Sequence, residues 1–202
     1  MIILNSRNQV LIRVPKTAST SLAVQVYDNF LDPVIDVSYT IEDNTVGEFV
    51  EDSYRREVNF KPIEHLFKDH MDAMHASWWD LKELNLVDDS MEILTTIRHP
   101  IDRWLSIYYF HKKYFDPKLP PVEEVALQWP YDMGKYNKWF HRTQTDFVDP
   151  YRTTYVNPKN LDYFFKVNPF RDRKTVLSAN ATKHLLDYYI IDYNHYVSAS
   201  TI

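Results

Sequence analysis

The chain has 202 residues, 45% of them hydrophobic and 25% charged, with a net charge of −5. That is the composition of one soluble globular domain covering residues 1–202, and it argues against general affinity for nucleic acid or an anionic membrane. Cysteine is absent, which excludes a disulfide framework, a thiolate metal site and a cysteine nucleophile.

No run reaches the ~18 apolar residues a membrane helix needs. The opening "MIILNSRNQV" lacks the layout of a signal peptide, so no membrane span and a cytoplasmic location are expected. With only two glycines, tight turns must rely on Pro, Asn and Asp.

"QVLIRV", residues 9 to 14, reads as a buried strand that Pro15 ends. From Thr20 to Leu31 the apolar residues Leu22, Val26, Tyr27, Phe30 and Leu31 fall at helical spacing, with Thr20 or Ser19 as N-cap. "TIEDNTVGEFVEDSYRREV" reads as a helix, acidic early and basic late. "SWWDLKEL" predicts a short helix capped by Ser77.

"MEILTTI", residues 91 to 97, predicts a second buried strand ending at "RHP". Pro100 suits the first turn of a helix. That helix has an apolar stripe of Ile101, Trp104, Leu105 and Tyr108, with Arg103 and Ser106 together on another face. "PPVEEVALQW" predicts a short helix, and residues 130 to 175 read as irregular. A closing helix from about Ser178 turns Leu185, Leu186, Tyr189, Ile190 and Tyr193 inward. Two strand–loop–helix units in succession predict an α/β fold with a parallel sheet. Ligands bind such folds at the carboxyl ends of strands, where the loops at Lys16 and Arg98 fall.

The first loop, "PKTASTS", is built for an anion. It opens a helix, whose free N–H groups and positive end attract negative charge. Lys16 adds a cation, and Thr17, Ser19, Thr20 and Ser21 add hydroxyl donors. A Walker loop places glycines before its lysine; here the lysine leads and the glycines are missing. Such a loop suits one phosphate-like group rather than a triphosphate, which disfavours kinase chemistry. The plain alternative is a Ser/Thr-rich turn that caps a helix. At the second loop, Arg98 and Ser106 stand at a spacing that can grip another phosphate.

Together these stretches resemble the PAPS-dependent sulfotransferases, where PAPS is 3′-phosphoadenosine 5′-phosphosulfate. "PKTASTSL" is similar to the family's 5′-phosphosulfate loop, with Ala18 where many members carry Gly. "RHPIDRWLSIYY" is similar to its 3′-phosphate motif. "HASWWDL", from His75, resembles a stretch of the carbohydrate group, especially the uronyl 2-O-sulfotransferases. The likeness spans residues 10 to 112 well and 175 to 196 loosely. His99 departs from the family's Asp or Asn, so a turn-stabilising contact is expected to be lost.

The resemblance implies a P-loop-like three-layer fold, with a central parallel sheet flanked by helices. It implies PAPS as donor and PAP (3′-phosphoadenosine 5′-phosphate) as product, with no metal required. Lys16 would stabilise the leaving phosphate, and Arg13, Thr17, Ala18, Ser19, Thr20 and Ser21 would hold the 5′ end. Arg98 and Ser106 would read the 3′-phosphate, with Arg173 and Lys174 closing over the nucleotide. His75 would be the general base for an acceptor hydroxyl, with a saccharide as the expected partner. His70 is its nearest competitor, then Glu64 or His65. His70 and Trp78 are the expected acceptor contacts, although Trp78 and Trp79 also read as core. The absence of an anchor and of cysteine implies a bacterial or viral source rather than the Golgi. A P-loop phosphotransferase and a non-catalytic PAP-binding relative are the competing readings.

Overall fold

A computed structural model describes residues 1–4, 7–19, 22, 35–36, 66–68, 70–134, 137–156 and 175–199. The helices expected over residues 20–31 and within "TIEDNTVGEFVEDSYRREV" lie outside these, apart from Leu22.

The sheet has five strands in the order β3-β1-β2-β4-β5. They are β1 (Ile2–Leu4), β2 (Gln9–Leu11), β3 (Ile35–Asp36), β4 (Glu92–Thr96) and β5 (Thr153–Val156). β2, β4 and β5 run parallel. β1 is antiparallel to both β2 and β3, so the sheet is mixed rather than wholly parallel. The cause is a hairpin that returns the chain at once, and Asn8 in its turn sits at φ 55°. Asn tolerates that left-handed conformation better than most residues. β5 falls inside the stretch that reads as irregular in sequence.

Seven α-helices have both ends among the described residues, besides one turn of 3-10 helix at Thr145–Phe147. α1 (His70–Met74) precedes α2 (Trp78–Glu83). Ser77 caps α2 as its sequence predicts. The Asp80 N–H donates to Ser77 Oγ at 3.2 Å, and the Ser77 N–H donates to Asp80 Oδ2 at 2.7 Å. This reciprocal capping box satisfies donors that a helix start leaves open. α3 (Pro100–Tyr114) begins at the proline, whose fixed φ suits a first turn. α4 (Val122–Leu127) and α5 (Asn137–Phe140) follow. α6 (Ala179–Tyr188) starts at its Ser178 cap, which also bonds Glu123 in the first turn of α4.

The closing helix is broken. α6 ends at Tyr189, with φ −104° and ψ 29°, and α7 (Ile190–Ala199) starts afresh. The break resets the inward face. Ile190 is 49% exposed, against expectation, while Asp192 is fully buried.

Two cores hold the helices to the sheet and to each other. One packs Ile3, Val10, Ile12 and Ile93 against Trp78, Leu81 and Phe147. The other lies among helices and is aromatic, with Trp104, Tyr108, Trp129, Phe140 and Tyr189. Trp104 stacks on Tyr108 at 5.8 Å and meets Trp129 edge-on at 5.7 Å. Each such pair adds about 0.5–1.5 kcal/mol beyond burial. Trp104 therefore anchors α3, the helix that carries Arg103. Among the described residues, no helix is long and apolar enough to cross a membrane.

Candidate functional site

β2 and β4 are parallel neighbours, so the loops that follow them leave the same edge of the sheet. The Ile12 N–H donates to the Leu94 carbonyl at 2.9 Å and prolongs this pairing beyond Leu11. Residues 13–19 and 97–99 are brought together in this way.

The first loop is gripped by its carbonyls. His75 Nδ1 lies 2.9 Å from the Arg13 carbonyl. Thr17 Oγ1 and Ser19 Oγ both donate to the Val14 carbonyl, at 2.9 and 3.2 Å. Arg103 Nε donates to the Pro15 carbonyl at 3.0 Å. Arg98 Nη1 donates to the Lys16 carbonyl at 3.2 Å. Four consecutive carbonyls are thus held by side chains from three parts of the chain.

The backbone between them is unusual. Lys16 and Ala18 have positive φ, at 65° and 71°, and Thr17 between them does not. Alternation of this kind turns successive N–H groups toward a shared concavity, the geometry called a nest. Ala18 pays about 1–2 kcal/mol for a conformation that costs glycine nothing. Leu22 N–H donates to the Ala18 carbonyl at 3.3 Å, so the helix opens at Ser19, just behind the nest.

Several expected anion contacts are placed differently. Thr17 is fully buried, and its hydroxyl also pairs with Thr96 Oγ1 at 2.7 Å, tying the loop to the end of β4. The Thr17 and Ser19 hydroxyls serve the loop's own carbonyl rather than an open anion face. Arg13 is only 3% exposed, and it is its carbonyl that engages His75. Ser106 is buried at 4%, which leaves little surface for a ligand. Trp78 is fully buried in the sheet-side core, so it is not an acceptor platform; Trp79, the other tryptophan, is exposed. α1 begins at His70, whose side chain lies outside the described residues, as do Thr20, Ser21, Glu64, His65, Arg173 and Lys174.

Lys16 and His75 carry the electrostatic signature of a site. Burial, then the charge of Arg98, lowers the Lys16 pKa from 10.5 to about 7. Its Nζ sits 3.7 Å from the centroid of the Phe110 ring, whose face favours the charged form and opposes that loss. Burial is also the main cause that lowers His75, to about 3, and the nearby charges of Arg13, the N-terminus and Lys16 add to it. A carbonyl can only accept, so His75 Nδ1 carries the proton in its bond to Arg13. That fixes the tautomer and leaves the Nε2 lone pair as the ring's basic atom.

The second loop is held by residues that sequence reasoning passed over. His99 makes no side-chain cap at the start of α3, as its departure from Asp or Asn predicts. Its ring instead meets Tyr193 and Tyr196 of α7 edge-on, at 5.6 and 5.3 Å. The turn is secured by Gln144. Its Oε1 accepts from the Arg98 N–H at 2.9 Å, and its Nε2 donates to the Arg98 carbonyl at 2.8 Å. Asp192 in turn accepts from the Gln144 and Thr145 N–H groups, at 2.7 and 3.0 Å. Burial pushes the Asp192 carboxyl up, while the charge of Arg103 and these N–H groups pull it back. Arg103 itself spans the site, because its Nη1 donates to the Arg142 carbonyl at 2.9 Å. The signal for Asp192 was a lone acid within the apolar and aromatic stretch "YYIIDY"; nothing local marked Gln144.

No protein-family model, curated protein or solved structure matches the chain.

Proposed function

We propose that the chain is a PAPS-dependent sulfotransferase with a P-loop-like anion site, acting on a hydroxyl of a glycan. The observation that carries this reading is the nest at Lys16–Ala18, flanked by Lys16, Arg98 and His75 at the ends of two parallel strands. With its carbonyls taken by side chains, the loop has its N–H edge as the side to present to an anion.

When bound, PAPS supplies the sulfuryl group, which passes to the acceptor oxygen as its bond to the bridging phosphate oxygen breaks. Lys16 meets the charge that grows on that bridging oxygen. Its pKa is lowered to about 7 in the ligand-free chain, and the bound anion raises it, keeping the ammonium charged and able to donate a proton there. Arg98 reads the 3′-phosphate, the group that separates PAPS from ATP-like nucleotides. His75 takes the acceptor proton at Nε2, while the Arg13 carbonyl holds the ring through Nδ1. At a pKa of about 3 the ligand-free imidazole is a weak base. Negative charge bound beside Arg13 and Lys16 raises it toward a working value.

The test is calorimetry of the ligand-free chain with PAP and with Mg·ATP. The expected outcome is tight PAP binding without added metal and weak Mg·ATP binding, followed by transfer from labelled PAPS to a glycan. Tight Mg·ATP binding with no response to PAP would sink the proposal.

A further inference from the structure

We infer that Gln144 and Asp192 are positioning residues for Arg98, fixing its guanidinium against the anion loop and so setting the site's affinity for a second phosphate. The part about phosphate rests on the function proposed above; the positioning itself rests on geometry alone.

Arg98 lies just past the end of β4, where the strand ladder no longer satisfies its peptide. Gln144 replaces the ladder. Its amide offers one acceptor and one donor in a single plane, and both are spent on the N–H and carbonyl of the same residue. Only an Asn or Gln side chain has that pair of groups, and Asn is one methylene shorter. Gln144 is 1% exposed, so these bonds do not compete with water.

Gln144 is itself pinned from both sides. Asp192, fully buried on α7, takes the Gln144 and Thr145 N–H groups and the Thr145 hydroxyl, the last at 3.2 Å. Arg103 holds the Arg142 carbonyl two residues upstream. A continuous line of hydrogen bonds therefore runs from Asp192 through Gln144 to Arg98, and from the Arg98 guanidinium to the Lys16 carbonyl. Packing alone would be met by a leucine at position 144. An amide is needed to fix the Arg98 peptide, and with it the point from which the guanidinium reaches the loop.

The experiment uses the full chain carrying Gln144→Met, which keeps the bulk and removes both bonds. One arm titrates PAP and adenosine 5′-monophosphate, which lacks the 3′-phosphate, into wild type and variant. PAP is expected to weaken about tenfold or more, the range for losing a well-placed charged hydrogen bond, and the monophosphate less than about twofold. The other arm needs no ligand: it follows the titration of Lys16 by carbon-13 NMR. Arg98 helps to hold the Lys16 pKa down, so release of Arg98 is expected to raise it. An unchanged Lys16 titration overturns the positioning role, and equal weakening of both ligands overturns the link to the second phosphate. If wild type binds no PAP, the proposed function fails, while the Lys16 arm still decides the positioning. Should Gln144→Met not fold, Gln144→Asn, too short to reach both groups, is read in the same two ways.

Discussion

The two loops at the sheet edge do the same job by opposite means. Residues 13–19 are held by five side chains spread over four successive carbonyls, and they keep two residues in a strained left-handed conformation. In residues 97–99 the peptide of Arg98 is held by one side chain that takes both its N–H and its carbonyl, backed by one buried acid. Distributed grip tolerates the loss of a partner, because neighbouring contacts remain. A single amide backed by a single carboxylate concentrates the hold on the Arg98 peptide in one side chain. The contrast predicts where the protein is fragile.

The largest effect is expected on the second loop. Asp192→Ala removes the acceptor of three buried donors and leaves Arg103 without its nearby negative charge. Breaking a buried network of this kind costs about 3 kcal/mol or more. In a chain of this size that lowers Tm by roughly 6–12 °C, which calorimetric melting would read. A loss as small as that of an ordinary surface substitution would erase the contrast between the loops.

The second test concerns His75, the histidine that grips the first loop. His75 has a folded pKa of about 3 against 6.5 for a free imidazole, so the unfolded chain binds its proton first as pH falls. The stability tied to the neutral ring is fully present above about pH 6.5 and is lost as pH falls from there toward 3. The slope is up to about 1.4 kcal/mol per pH unit. Urea titrations of wild type and His75→Gln between pH 7 and 4 should show a shallower decline in the variant. Parallel declines would remove His75 as the acid-sensitive partner.

The smallest effect has the opposite sign. Ala18→Gly relieves the left-handed strain but frees the unfolded chain, for a net gain of about 0.5–1 kcal/mol. Denaturant midpoints would detect it. A destabilised glycine variant would mean that the loop's shape, rather than its grip, is favourable on its own.

Much of the fold was legible, because local rules decide it. Short apolar runs mark β2 and β4, Ser77 and Ser178 mark helix starts, and Pro100 marks a first turn. β1 and β5 were not: β1 lies at the very start of the chain, and β5, TTYV, stands within a stretch of mixed polarity with no apolar run around it. Helical periodicity also misplaced Ile190, because a break at Tyr189 resets the face. At the site, the placing of Lys16 and Arg98 at neighbouring strand ends was readable from the order of units. The fate of the Thr17 and Ser19 hydroxyls was not, as counting donors does not say that a loop's own carbonyl lies nearest. Gln144 lies 46 residues from Arg98, and only the packing of α7 beneath residues 142–145 joins them.

The grip on four successive carbonyls makes this loop non-portable. A glycine-rich phosphate loop carries its shape within its own sequence, so it can be moved to another strand–helix junction. "PKTASTS" takes its shape from groups at positions 75, 98 and 103 as well as its own hydroxyls. Grafted alone onto a foreign scaffold, it would relax out of the left-handed turns at Lys16 and Ala18. For a designer, the transferable unit is therefore the loop together with its histidine and two arginines.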